Sequence, residues 1–219
     1  MKFSYLKSTI GKKQVMAVAG LLLAGFVLTH MLGNMLLFVG ADMYNLYSYK
    51  LISNPLIYLA EAGLVAFFLS HIVMGIVLSI RNKSSRQKSY AVAASGEKKA
   101  SWSSRFMIHQ GMVIAVFVVL HLLTFKFADK QQTTVDGVVM DDLHQLVVDV
   151  FQSPVYVIGY VIAVGLLAFH LSHGVHSALS TLGFYSEEKK SKIECLSAIY
   201  GWVVGLGFMS QPIYVYLFY

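Results

Sequence analysis

The chain is poor in the residues that usually build a catalytic or redox centre. It has one cysteine, Cys195, in 219 residues. One thiol closes no internal disulfide, holds no iron–sulfur cluster and offers no C-x-x-C-H for covalent haem attachment. Charge is scarce as well: 13% of residues are charged, against about 25% in a soluble domain. No glycine fingerprint for binding a flavin is present. What fills the chain instead is apolar residue, 57% of it, gathered in long blocks. That pattern belongs to membrane proteins. The formal net charge of +6 sits in short segments between the blocks, so it reports membrane topology and not a nucleic-acid face.

Five blocks are long enough to span a bilayer: 15–39, 56–80, 106–125, 155–182 and 195–218. Each has about 20 residues or more, which covers ~30 Å of hydrocarbon at 1.5 Å per residue. Helices are expected, because each backbone polar group must be satisfied within its own segment. The first block carries no charge over 25 residues, too long for a cleaved signal, and is expected to be a retained helix.

Of the 17 basic residues, 14 lie before the first span, between the second and third, or between the fourth and fifth. The other two loops hold only Lys50, Lys126 and Lys130. The positive-inside rule therefore predicts a cytoplasmic N-terminus and a multi-pass protein of the inner, cytoplasmic membrane. Asn54-Pro55 and Ser153-Pro154 predict N-caps followed by proline in the first turn, and Gly183 predicts the end of the fourth helix. The segment 128–153 is acidic, and 141–151 is expected to form a short amphipathic helix outside. The basic segment 82–104 is expected to be a cytoplasmic docking loop. Gly201 and Gly205 form a small-x-x-x-small pair suited to close helix packing.

Seven of the eight histidines fall within or at the ends of spans, all but His144. An intramembrane histidine is costly and points to function. His30 lies 17 residues after Lys13 and His121 lies 16 after Arg105; both spans start inside, so the two share a depth. His71 follows Pro55 by 16 residues and His170 follows Pro154 by 16, which sets a second shared depth nearer the cytoplasm. The first four spans thus read as two similar halves. Two histidines on facing helices at one depth can hold a haem iron from both sides. On the fourth span the spacing favours His170, with His173 as the alternative. His173 and His176 can equally be hydrogen-bonded residues or contacts to propionates. His109 lies at the interface, as an ordinary residue or as a quinone or propionate contact.

The ordered set of motifs resembles a known family. His30-Met31-Leu32-Gly33-Asn34, Phe68-Leu69-Ser70-His71-Ile72-Val73-Met74-Gly75, Val119-Leu120-His121-Leu122-Leu123-Thr124-Phe125 and Phe169-His170-Leu171-Ser172-His173-Gly174-Val175-His176-Ser177 together resemble the cytochrome b558 subunit of succinate dehydrogenase/fumarate reductase. That family is the single-chain, five-helix, di-haem membrane anchor of respiratory complex II, a link between the tricarboxylic acid cycle and electron transport. The resemblance implies an all-α membrane protein whose first four helices form a di-haem bundle, with the fifth packed beside it. It implies two haem b groups: a proximal one held by His71 and His170, and a distal one held by His30 and His121. It implies a flavoprotein partner with FAD, an iron–sulfur subunit, and a quinone, often menaquinone, exchanged with the membrane lipid. The chain itself would carry no residues for succinate chemistry.

Some di-haem members carry a glutamate two residues before the ligand on the fourth helix. Ala168 stands there in this chain, so that proton route is not expected. Glu61 is the only acidic residue well inside a span, and it is expected either to exchange protons with quinol or to be a hydrogen-bonded interfacial carboxylate. Two other readings of the chain are a di-haem cytochrome b of a hydrogenase or formate dehydrogenase, and a haem-free, histidine-lined metal or proton transporter.

Overall fold

A computed structural model of the chain describes residues 5, 8–84 and 102–219. Lys2, Lys7 and most of the expected docking loop lie outside the described residues. Seven α-helices appear among the rest: α1 (Thr9–Asn34), α2 (Ala41–Ile52), α3 (Leu56–Ser84), α4 (Trp102–His121), α5 (Leu143–Phe151), α6 (Pro154–Thr181) and α7 (Lys190–Phe218). A short hairpin, β1 (Gln132–Val135) and β2 (Val138–Asp141), precedes α5. Among the described residues, five helices are long and apolar enough to cross a membrane: α1, α3, α4, α6 and α7. Large apolar side chains stand exposed along all five, such as Leu22, Leu59, Val116, Ile158 and Leu206. Apolar cover on this scale faces lipid, not water. The chain is an all-α, multi-pass membrane protein.

The helix starts are set by caps and not by hydropathy. α1 begins at Thr9, six residues before the apolar block, because the Ser8 side chain accepts from the Gly11 N–H at 3.0 Å. Lys12 and Lys13 therefore lie inside the helix. α7 likewise starts at Lys190 and not at Cys195. The Asn54 side chain accepts the Leu56 N–H at 3.0 Å, as its position predicts. Ser153 takes the N-cap place of α6 but makes no side-chain cap bond; Pro154, whose φ is pre-set for a helix, opens the first turn without it. At the other end of α6, Gly183 has φ +86°. The Gly183 and Phe184 N–H groups return to Ser180 and Leu179, a Schellman ending that needs glycine's left-handed freedom.

The packing is a ring. α1 packs on α3 and on α6, α4 packs on α6, and α3 meets α4 only sparsely. α1 and α4, and likewise α3 and α6, are therefore the diagonals. α7 lies outside the ring, packed most extensively on α6. A Cβ on Gly201 would lie 2.6 Å from the Ala168 carbonyl oxygen, and one on Gly205 would lie 2.6 Å from the Ala168 Cβ. Lipid tails are as apolar as side chains, so such close approach, and not water exclusion, is what joins helices here. The Tyr200 hydroxyl adds a bond to the Ala24 carbonyl of α1 at 2.6 Å.

At one end α2, the hairpin and α5 form a cap. Its core holds Leu37, Tyr44, Val147, Val148, Phe151, Val157 and Val215. The Asn45 side chain accepts the His144 N–H at 2.9 Å and donates to Asp142 at 2.9 Å. The Tyr219 hydroxyl bonds the Nε2 of His144 at 3.2 Å. Asn45 and His144 are 99 residues apart, as are Pro55 and Pro154, and His71 and His170. The two halves of the chain thus match through the cap as well as through the spans. The opposite end carries Lys12, Lys13, Lys189, Lys190 and Lys192, and is called the basic end below.

Candidate functional site

Four histidine rings meet in two pairs, and each pair crosses a diagonal of the ring of helices. His30 on α1 faces His121 on α4 with ring centroids 5.9 Å apart and planes at 83°. His71 on α3 faces His170 on α6 at 6.1 Å and 74°. The rings reach one another between helices that otherwise share little contact. His173 is not part of a cross-bundle pair. Its ring meets His176 on its own helix, at 4.7 Å. His109 lies beside Phe106.

The pairs sit at two levels. A Cβ on Gly20 would lie 3.0 Å from Cε1 of His71, and one on Gly111 would lie 3.6 Å from Cε1 of His170. Gly20 precedes His30 by ten residues and Gly111 precedes His121 by ten. Ten residues of helix are about 15 Å, so the cap-side pair (His30, His121) and the basic-side pair (His71, His170) are separated by roughly that distance. Sequence reasoning left these two glycines unused, although their equal spacing to the histidines was visible in the chain.

The Nδ1 atoms of His71 and His121 are turned to the protein. His71 Nδ1 donates to the Met16 carbonyl of α1 at 3.2 Å. His121 Nδ1 is 3.4 Å from the Tyr160 hydroxyl of α6. Each bond occupies one ring nitrogen and leaves Nε2 as the free ligand atom. His170 Nδ1 is buried and has no partner. Phe26 and Phe208 stack or tilt against His30, while Phe117, Phe125 and Tyr160 surround His121. The cap-side pair is thus boxed by aromatics, and the basic-side pair by glycines and backbone. Just beyond His121 the helix widens into a π turn, Leu122–Lys126. Such turns often mark functional positions.

The spacing has a chemical meaning. A metal–imidazole bond of about 2 Å on each side of one metal, plus about 1 Å from nitrogen to ring centre, puts trans imidazole centroids about 6 Å apart. Among the described residues no group of three or more His, Cys, Asp and Glu is arranged to hold a metal ion. Two facing imidazoles could hold a metal that brings its remaining ligands with it, as haem does.

Glu61 stands apart from both pairs. Its carboxylate is ion-paired with Lys126, which lies in the π turn of α4. The bond ties α3 to α4, the sparsest side of the ring. Ala168 is fully buried under Gly201 and Gly205 of α7, and no glutamate fits there while α7 is in place. No protein-family model, curated protein or solved structure matches this chain. The fold and site therefore define it only as a five-span, all-α membrane protein with two cross-bundle histidine pairs.

Proposed function

We propose that the chain is the membrane-anchor, electron-transfer subunit of a succinate:quinone oxidoreductase. The observation that carries the electron-transfer part is the pair of histidine clamps, at 5.9 and 6.1 Å and about 15 Å apart in depth. The succinate or fumarate part rests on the motif resemblance alone. His71 and His170 would hold one haem b, and His30 and His121 the other. When bound, such groups would supply one-electron transfer chemistry. The residues around them hold the rings: the Met16 carbonyl and the Tyr160 hydroxyl orient His71 and His121, and the aromatic box keeps water from His30 and His121.

Positive-inside topology puts the basic end in the cytoplasm and the cap outside. The basic-side pair is then the proximal one, next to the face where a flavoprotein with FAD and an iron–sulfur subunit would dock. Glu61, at the cap end, would exchange protons with quinol, menaquinol in the usual di-haem type, and Lys126 would hold its carboxylate in place. Glu61→Gln should slow quinone turnover with both haems retained; unchanged turnover would remove Glu61 from the reaction. Purification from the native membrane tests the whole reading. Two b-type haems per chain, with copurified flavoprotein and iron–sulfur subunits, support it. A chain with no b-type bands in the reduced-minus-oxidised spectrum ends it.

A further inference from the structure

The two halves of the bundle treat the basic-side pair differently. His71 Nδ1 has the Met16 carbonyl at 3.2 Å. His170 Nδ1 has nothing, although it is shut off from solvent. A ligating histidine almost always donates its second ring N–H to an oxygen, and an unmade buried hydrogen bond costs on the order of 1–3 kcal/mol. The described residues contain one other buried side-chain atom without a partner, the amide oxygen Oε1 of Gln110. One orphan is a donor when Nε2 is the ligand atom. The other is an acceptor.

His170 lies in the α4–α6 interface, and Gln110 lies on α4 beside the residue that faces it. Met107 reaches toward Gly174, and Gly111 faces His170. Gln110 is three residues after Met107 and adjacent to Gly111, within one turn of both contacts on α4. It is only 5% exposed. The repeat sharpens the point. The offset that maps Gly20 onto Gly111 and His30 onto His121 maps Ala19 onto Gln110. Ala19 is equally buried, but it has no polar group, and in that half the backbone at Met16 serves the histidine.

Resting on the haem reading above, we propose that Gln110 supplies the acceptor for His170 Nδ1–H, directly or through one ordered water. Gln110 is then a positioning residue. It fixes the ring of His170 and makes the imidazole more electron-rich, which favours the oxidised form of the metal bound to Nε2.

The test is a potentiometric titration of the purified complex, following the haem that His170→Ala lacks. Gln110→Met keeps the volume and removes the acceptor. It should shift the reduced-to-oxidised ratio of that haem at fixed potential toward reduced by about three- to tenfold, where tenfold is 59 mV for one electron. Gln110→Glu keeps an acceptor oxygen in either protonation state, so its midpoint should stay at or below wild type. The midpoint of the second haem should not move in either variant. If Gln110→Met does not assemble, Gln110→Asn, one methylene too short, should give the same upward shift. Equal midpoints in all variants, or upward shifts in both Gln110→Met and Gln110→Glu, overturn the proposal while leaving the haem reading intact. Wild-type protein without haem overturns both, and the absorption spectrum alone tells the two failures apart.

Discussion

Two glycines that face the histidines differ in how much room they leave. At Gly20 an added methyl would sit 3.0 Å from the His71 ring; at Gly111 it would sit 3.6 Å from His170. The first distance is below ordinary van der Waals contact and the second is within it. Gly20→Ala should therefore push His71 off its axis and lower the occupancy of the basic-side haem, whereas Gly111→Ala should leave both haems bound. Haem per chain, from quantitative spectra of the purified variants, decides it. Equal occupancy in the two variants would mean that His71 does not use the edge of α1 as a stop. The four histidines were readable in the chain because polar rings stand out in apolar blocks. Their pairing followed from depth. The spacing from Pro154 favours His170 over His173, and the crossing of α3 and α6 brings the ring of His170, not that of His173, to face His71.

At the level of elements, α6 and α7 meet through Gly201, Gly205 and Ala168, and the close approach predicted from the two glycines is present. Gly205→Leu must drive the helices apart, at about 1–3 kcal/mol of overpacking, and should lower the melting temperature in detergent. Gly159→Leu has open space around it and should not. The cap is expected to respond to pH through His144. His144 is buried, and burial pulls its pKa below the ordinary histidine value, partly offset by Asp142. The neutral ring is the form the fold favours. Its contribution is complete above the ordinary histidine range and is lost as pH falls through the lowered value. Protection factors for amide hydrogen exchange in α2 and α5, corrected for the intrinsic pH dependence, should therefore fall on acidification, and His144→Gln should flatten that dependence. A profile unchanged by His144→Gln would assign the effect to other groups.

Most of the cap was not read from the chain. α2 is short and lies between two spans whose apolar signal overwhelms it. The hairpin does carry a readable sign: Asp136-Gly137 between β-branched runs is a tight-turn signal, and both residues have positive φ, +51° and +78°. The amphipathic helix expected over 141–151 is present as Leu143–Phe151, with Asp142 capping it through the Gln145 N–H.

For the molecule as a whole, the two ends differ in charge and in build. One carries the cap; the other carries lysines on α1 and α7. If the basic end faces the cytoplasm, Gln131→Cys before the hairpin should react with an impermeant thiol reagent from outside, and Ser186→Cys between α6 and α7 should react only in inverted vesicles. Both belong in a Cys195→Ser background. The reverse labelling would invert the topology and move the partner face to the cap.

Composition and hydropathy alone determined the class: five apolar blocks with so little charge have no fold open to them but membrane helices, because lipid offers the backbone no hydrogen bonds. Spacing along each helix determined the depth of each histidine, since rise per residue is constant. Only the tertiary structure decided which helices are neighbours and which are diagonals. That outcome depends on side-chain fit between surfaces that are apolar on every side. Among such surfaces hydropathy has no preference, and small residues such as Gly201 and Gly205 set the closest approach.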